Sequence, residues 1–267
     1  MEHVGRQVSV DPTAPVLVLD WSFFVFWRFF ATKSWWARAH PEPTTEALMD
    51  NPEFVATFAR TFAAAVEKLR KLYRAPPGNL IALMDAPRAE LWRTLAFPAY
   101  KANRASTIEG AAFAVAETLQ AAMGLQTVGQ PGLEADDLAY LFKQRLLALG
   151  VTDLVLLTDD NDWGQLADER VRVLNRDQKD IGVRCGSLLQ KCLCGDPGDN
   201  IPPAFARCGK ATAERLAADP DALEAHLAKD PQARAGFERN RLLIDMACIP
   251  TERAQRFDED VTFVTTR

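Results

Sequence analysis

Four short apolar runs punctuate the chain, and helical periodicity fills much of the space between them. Residues 16–19, 80–84 and 154–157 are unbroken stretches of Val, Leu, Ile, Ala and Met, and residues 171–174 form a fourth run. Runs of this length without polar alternation read as strands buried on both faces. Residues 22–30 are strongly aromatic and predict a core helix with Ser22 near its cap. Apolar residues recur at helical spacing over 54–73, 108–123 and 133–149, the last two closed by Gly124 and Gly150. Residues 32–52, with Trp35, Trp36, Pro41, Pro43 and Pro52, read as a loop or insertion. Beyond about residue 185 the pattern is helical to the end, broken at Pro197, Pro202, Pro203, Pro220, Pro231 and Pro250. There is no internal repeat and no low-complexity segment.

Strands alternating with helices predict an α/β fold: a mostly parallel central sheet with helices on both faces, followed by a helical C-terminal region. The expected organisation is an α/β core over 14–185 and a helical region over 186–267. In such sheets ligands bind beyond the carboxyl ends of the strands. Three of the apolar runs lead into an aspartate at that edge: Asp20, Asp85 and Asp160. One such residue would be explained by capping the next helix. Three, from distant parts of the chain, favour convergence on one site.

More acids join them. Glu134, Asp136 and Asp137 open a predicted helix, where the macrodipole favours one or two acids but does not call for three. Asp162 follows Asp160 across a turn, and Asp196 and Asp199 bracket a Pro-Gly turn. So many carboxylates in one pocket require cations to remain ionised. Hard oxygen ligands suit Mg²⁺ or Mn²⁺. Two such ions, about 3.5–4 Å apart, can activate a water and stabilise the leaving oxygen of a phosphodiester.

Composition narrows the alternatives. The 267 residues are 48% hydrophobic and 25% charged, enough for a sizeable core in one large or two closely packed domains. No apolar run reaches the ~18 residues of a membrane span, and residues 1–15 lack a secretory h-region, so the expected compartment is the cytoplasm. Five cysteines without paired spacing make neither a disulfide framework nor a zinc site, and three scattered histidines give no triad. A basic patch lies between the acids: Arg88, Arg93, Lys101 and Arg104, with Trp92 and Tyr100 among them. Lys101 and Arg104, three apart, can grip one phosphate, and Tyr100 offers a ring for base stacking. A solvated helix end would carry the same residues.

In order, Asp20, Asp85, Tyr100-Lys101-Ala102-Asn103-Arg104, Gly132-Leu133-Glu134-Ala135-Asp136-Asp137, Asp160-Asn161-Asp162 and Asp196-Pro197-Gly198-Asp199-Asn200 resemble the 5′-nuclease superfamily of flap endonucleases and 5′–3′ exonucleases. Asp20-Trp21-Ser22 and the tail around Asp245 look most like the ribonuclease H of T-even phages. The resemblance implies a PIN-like 5′-nuclease fold and a two-metal hydrolase. Its substrates would be branched or 5′-ended DNA and RNA–DNA hybrid, and its host compartment a bacterial cytoplasm. It implies that Asp20, Asp85, Glu134, Asp136 and Asp160 hold the catalytic ions, with Asp137, Asp162, Asp196 and Asp199 completing the cluster. Lys101 and Arg104 would contact the scissile phosphate, and Tyr100 would stack the terminal base. Arg88, Arg93 and Lys210 would bind substrate, and residues 186–218 would hold the duplex as a helix–turn–helix element. A single-strand-binding protein or DNA polymerase is the implied partner, and a monomer the implied state.

Three departures qualify the resemblance, one of them Asp159, which stands where the family often has a small residue. Ala206 and Cys208 stand where the family has glycines, which counts against close phosphate approach and a K⁺ site there. The stretch between Arg104 and Gly132 holds no Lys or Arg, which counts against a basic threading arch. A PIN-type single-strand ribonuclease and a non-catalytic DNA-junction binder remain the alternatives. The acidic balance excludes neither reading. The nine candidate metal ligands supply nine negative charges, so the rest of a chain of net charge −5 carries +4.

Overall fold

The structure, a computed structural model, describes residues 6–42, 47–104, 110–182 and 187–266. The elements run β1 (Arg6–Val10), β2 (Val16–Asp20), α1 (Trp21–Ala39), α2 (Pro52–Tyr73), β3 (Leu80–Met84), α3 (Trp92–Ala96), α4 (Gly110–Ala122), β4 (Gln126–Gly129), α5 (Ala135–Ala148), β5 (Leu154–Leu157) and β6 (Val171–Leu174). They continue through α6 (Leu188–Cys194), α7 (Lys210–Ala217), α8 (Pro220–Lys229), α9 (Pro231–Ile244), α10 (Thr251–Asp260) and β7 (Val261–Thr265). Pro43, Cys185 and the expected helix start at Ile108 lie outside the described residues.

Five parallel strands form the central sheet in the order β4-β3-β2-β5-β6. The central strand β2 is buried along its whole length, which is why its sequence does not alternate. Val16 and Val18 face a core built with Leu138, Phe142 and Leu146 of α5. Leu17 and Leu19 face Phe24 of α1, Phe58 and Phe62 of α2, and Ala112 and Ala116 of α4. The sheet is thus the middle of three layers, as the strand pattern predicts.

Two expectations are corrected, and a strand is added to those expected. Residues 32–39 are not a loop: α1 continues to Ala39, with Trp36 buried edge-on against Phe54. No Gly or Pro interrupts this stretch, and it stops at His40 because the residue before Pro41 is excluded from the α region. The tail is not helical to its end: β7 pairs in parallel with β1, so Arg6 lies opposite Val261 and Val10 opposite Thr265. Finally, β4 escapes the pattern because only Val128 of its four residues is buried.

Helices α6 to α9 close around Leu193, Ala204, Ala213, Leu216, Leu223 and Leu227. The backbone of α9 passes so near residue 204 that a Cβ on Gly236 would lie 2.0 Å from the Ala204 carbonyl oxygen. The buried Asn240 side chain fastens α9 to this region by donating to the carbonyls of Cys192 (2.9 Å) and Pro202 (2.8 Å). Arg207, between Ala206 and Cys208, takes the left-handed conformation (φ 62°).

Candidate active site

The strand order reverses between β2 and β5, and the carboxyl edge at such a reversal is where α/β sheets bind ligands. A cavity of about 330 Å³ opens there, lined by Asp20, Ser22, Phe23, Phe26, Asp85, Lys101, Arg104, Ala135, Asp136 and Asp160. Each acid is aimed by a specific donor. Asp20 accepts from the Phe23 amide (3.1 Å) and the Thr158 hydroxyl (2.8 Å). Asp85 accepts from the Ser22 hydroxyl (2.7 Å) and the Ala135 amide (2.9 Å). The Trp163 indole donates to Asp136 (2.6 Å), and the Asp162 amide to Asp160 (2.8 Å). Capping and convergence are therefore both true of these residues: the bonds that end a strand or open a helix also point carboxylates at one centre.

Among the described residues none of these four acids forms an ion pair. Burial, with Asp85 and Asp136 nearby, pushes Asp20 up to about 8. Burial, with Asp136 and Asp162, pushes Asp160 up to about 7. Four crowded carboxylates, none held in an ion pair among the described residues, fit a hard divalent cation.

A second acidic group adjoins the first. Carboxylate oxygens of Asp162, Asp196 and Asp199 lie within 4.8 Å of one another. Their turn is tight: Gly195 is left-handed (φ 72°), and a Cβ there would lie 2.4 Å from the Ile201 carbonyl oxygen. This group holds its own cations. The Lys191 ammonium pairs with Asp162 and with Asp196 (2.8 Å), and Arg104 pairs with Asp199. Lys191 was not among the expected site residues. Beside it runs a groove of about 670 Å³ whose lining includes Asp162, Gln165, Lys191 and Lys210. Lys210 is exposed, as a substrate contact requires.

Several expected roles do not fit. Asp137 is fully buried behind the cavity, where it accepts from Trp92 Nε1 (3.0 Å) and from the Glu134 amide (3.0 Å), and pairs with Arg93 (2.8 Å). It is a capping and ion-pair residue, not a cavity ligand. Arg93, only 2% exposed, cannot reach a phosphate; it pairs with Glu134 (2.9 Å) and donates to the Leu243 carbonyl (2.8 Å). Tyr100, also 2% exposed, offers no ring face to a base; its hydroxyl donates to Glu134 (3.0 Å). The open rings at the cavity are Phe23 and Phe26. Arg88 is exposed and donates to the Arg104 carbonyl (2.8 Å), supporting that residue's backbone. Glu134 is buried between Arg93 and Lys101; burial alone would raise its pKa, but these two cations hold it below the usual range. Lys101 sits in a turn, not on a helix, with a left-handed backbone (φ 53°), and its amide donates to the Asp199 carbonyl (2.8 Å).

The family of 5′–3′ exonucleases, N-terminal resolvase-like domain, matches residues 15–189, well over half of the chain. The chain belongs to this family. A 5′–3′ exonuclease of Streptomyces coelicolor is 32% identical over 211 residues, which cover 66% of this chain and 67% of that protein. Thermostable DNA polymerase I of Thermus thermophilus is 28% identical over 226 residues, covering 80% of this chain but 25% of the polymerase. The chain thus spans about a quarter of the length of that polymerase. Zinc-bound T5 5′-exonuclease shares the fold, with a TM-score of 0.62 at 18% identity, over 92% of this chain and 97% of that one. So does T5 flap endonuclease in a pseudo-enzyme–product complex with DNA and metal ions, with a TM-score of 0.59 over the same shares. The family match spans all four cavity acids and both cavity cations.

Proposed function

We propose that this chain is a Mg²⁺-dependent structure-specific 5′-nuclease that hydrolyses phosphodiesters at 5′ ends, flaps or RNA primers of DNA. The observation that carries the reading is the convergence of Asp20, Asp85, Asp136 and Asp160 with Lys101 and Arg104 around one cavity. The four acids would hold one divalent ion, and Asp162, Asp196 and Asp199 a second. Bound there, such ions lower the pKa of a water and stabilise the leaving oxygen. The chain's own residues do the rest. Lys101 and Arg104 place two cations on the cavity wall, where they orient a phosphate and offset charge developing on it. Glu134 holds Lys101 in position, and Arg93 and Tyr100 hold Glu134. Phe23 and Phe26 form the apolar wall and take the base-stacking role expected of Tyr100. Residues 186–218, with Lys210 on the groove, would hold the duplex backbone. The likeness to polymerase I supports a replication setting with a DNA polymerase as partner.

The test is the product sizes from 5′-labelled flap, nicked and RNA–DNA hybrid substrates with Mg²⁺, repeated with Asp160→Ala. Release of 5′ nucleotides or flaps, lost in EDTA and in the variant, is expected. Cleavage confined to unpaired RNA would favour the PIN-type ribonuclease instead. Junction binding without cleavage would favour the non-catalytic binder.

A further inference from the structure

The two acidic groups differ in one respect that the residue types alone do not show. Asp20, Asp85, Asp136 and Asp160 have no ion-pair partner among the described residues, whereas the neighbouring group is already neutralised from within. Lys191, on the last turn of α6, reaches Asp162 on one side and Asp196 on the other, 2.8 Å from the latter. Those two acids are members of the triad whose oxygens lie within 4.8 Å of one another. The ammonium is therefore bound by two of the three carboxylates that a divalent ion would need.

We propose that Lys191 is a resident stand-in cation: it bridges Asp162 and Asp196 of the Asp162–Asp196–Asp199 group without metal and must be displaced before a divalent ion can bind there. The inference rests on the reading that both acidic groups take divalent ions, and it adds an order of loading. The group whose acids form no ion pair among the described residues fills first. The Lys191 group fills second and more weakly, because an entering ion must break the two Lys191 pairs, compete with Arg104 and Lys101 for Asp199, and oppose a like charge within a few ångströms. Lys191 already lines the groove that also holds Lys210, so the displaced ammonium has an open place to go. A hydrated lysine on a flexible stem suits such a role better than a planar, forked arginine would.

Calorimetric titration of the full chain with Mg²⁺ tests this without any activity readout. The wild type should bind two ions in separate steps. Lys191→Met should strengthen the second step by at least about tenfold, the order expected for removing a close, partly screened like charge, and should leave the first unchanged. Lys210→Met removes a cation from the same groove wall but leaves Lys191 seated, and should move the second step far less. A wild-type measurement guards against misfolding of the variant: reductive methylation of Lys191, read by mass spectrometry, should be slow without metal and faster once Mg²⁺ fills the second step. The proposal is overturned if Lys191→Met weakens or leaves unchanged the second step, or if metal does not alter Lys191 labelling. One bound ion in both proteins would overturn it while sparing the first metal site. No Mg²⁺ binding at all would overturn the proposed function with it.

Discussion

Arg93→Met should damage the fold more than any direct contact with DNA. The Arg93 side chain is 2% exposed, and its partners Glu134 and Asp137 are 3% and 0% exposed, so substitution strands Asp137 away from water without a cation and leaves Glu134 with Lys101 alone. It also removes the donor to the Leu243 carbonyl. Breaking a buried pair by deleting one partner costs ~3–5 kcal/mol, because the remaining charge is uncompensated. At roughly 2–4 °C per kcal/mol for a chain of this size, the melting temperature should fall by about 6–20 °C. Arg93→Lys should recover only part of this, since an ammonium cannot reproduce the forked bonding to two carboxylates. Thermal and urea denaturation in EDTA measure the loss, and filter binding of a flap substrate below the melting point measures affinity separately. A variant that melts like the wild type but binds DNA much more weakly would refute this account and return Arg93 to the substrate surface.

Asp137→Asn should likewise lower the melting temperature while leaving the number of bound divalent ions unchanged; loss of one ion in calorimetry would make Asp137 a ligand after all. Metal-free protein should lose stability as pH rises from about 4 to about 8. Asp20, at about 8, and Asp160, at about 7, keep protons in the folded state that they release when unfolded, so folding is favoured at low pH and that advantage is lost as they ionise. Melting temperatures that stay flat or rise across this range in EDTA would contradict it, and Asp160→Asn should flatten the curve. Tyr100→Phe removes a hydroxyl bonded to Glu134 and should cost about 1 kcal/mol without a large change in KM, whereas Phe26→Ala should raise KM for 5′-ended substrates. The opposite ranking in steady-state kinetics would restore the stacking role to Tyr100.

The acids of this site are legible in the sequence and their counter-ions are not, for one physical reason. A parallel strand buried on both faces announces itself as an apolar run, and its carboxyl end is where a functional carboxylate belongs; both facts are local. That is why Asp20, Asp85 and Asp160 could be placed before any contact was known. The cations are placed by packing between distant segments. Arg93 is drawn inward by the Leu243 carbonyl, 150 residues away, and by Glu134 and Asp137 at the start of α5. Tyr100 is buried with Cys192, Ile201, Leu243 and Ile244, all contributed by the C-terminal half. Lys191 looks like an ordinary lysine on a short apolar helix until the tight turn at Gly195 brings Asp196 back beside it. Pairing of β1 with β7 is hidden in the same way, because it joins the two ends of the chain. Read locally, a lysine or arginine between acidic motifs looks available to a phosphate. In the folded chain Arg93 and Lys191 are already committed to carboxylates, while Lys101 and Arg104 combine such commitments with a place on the cavity wall. The number of basic residues near the acids therefore overstates the charge available to DNA, and the cavity's affinity for a phosphate should depend on how many of these internal pairs metal binding releases.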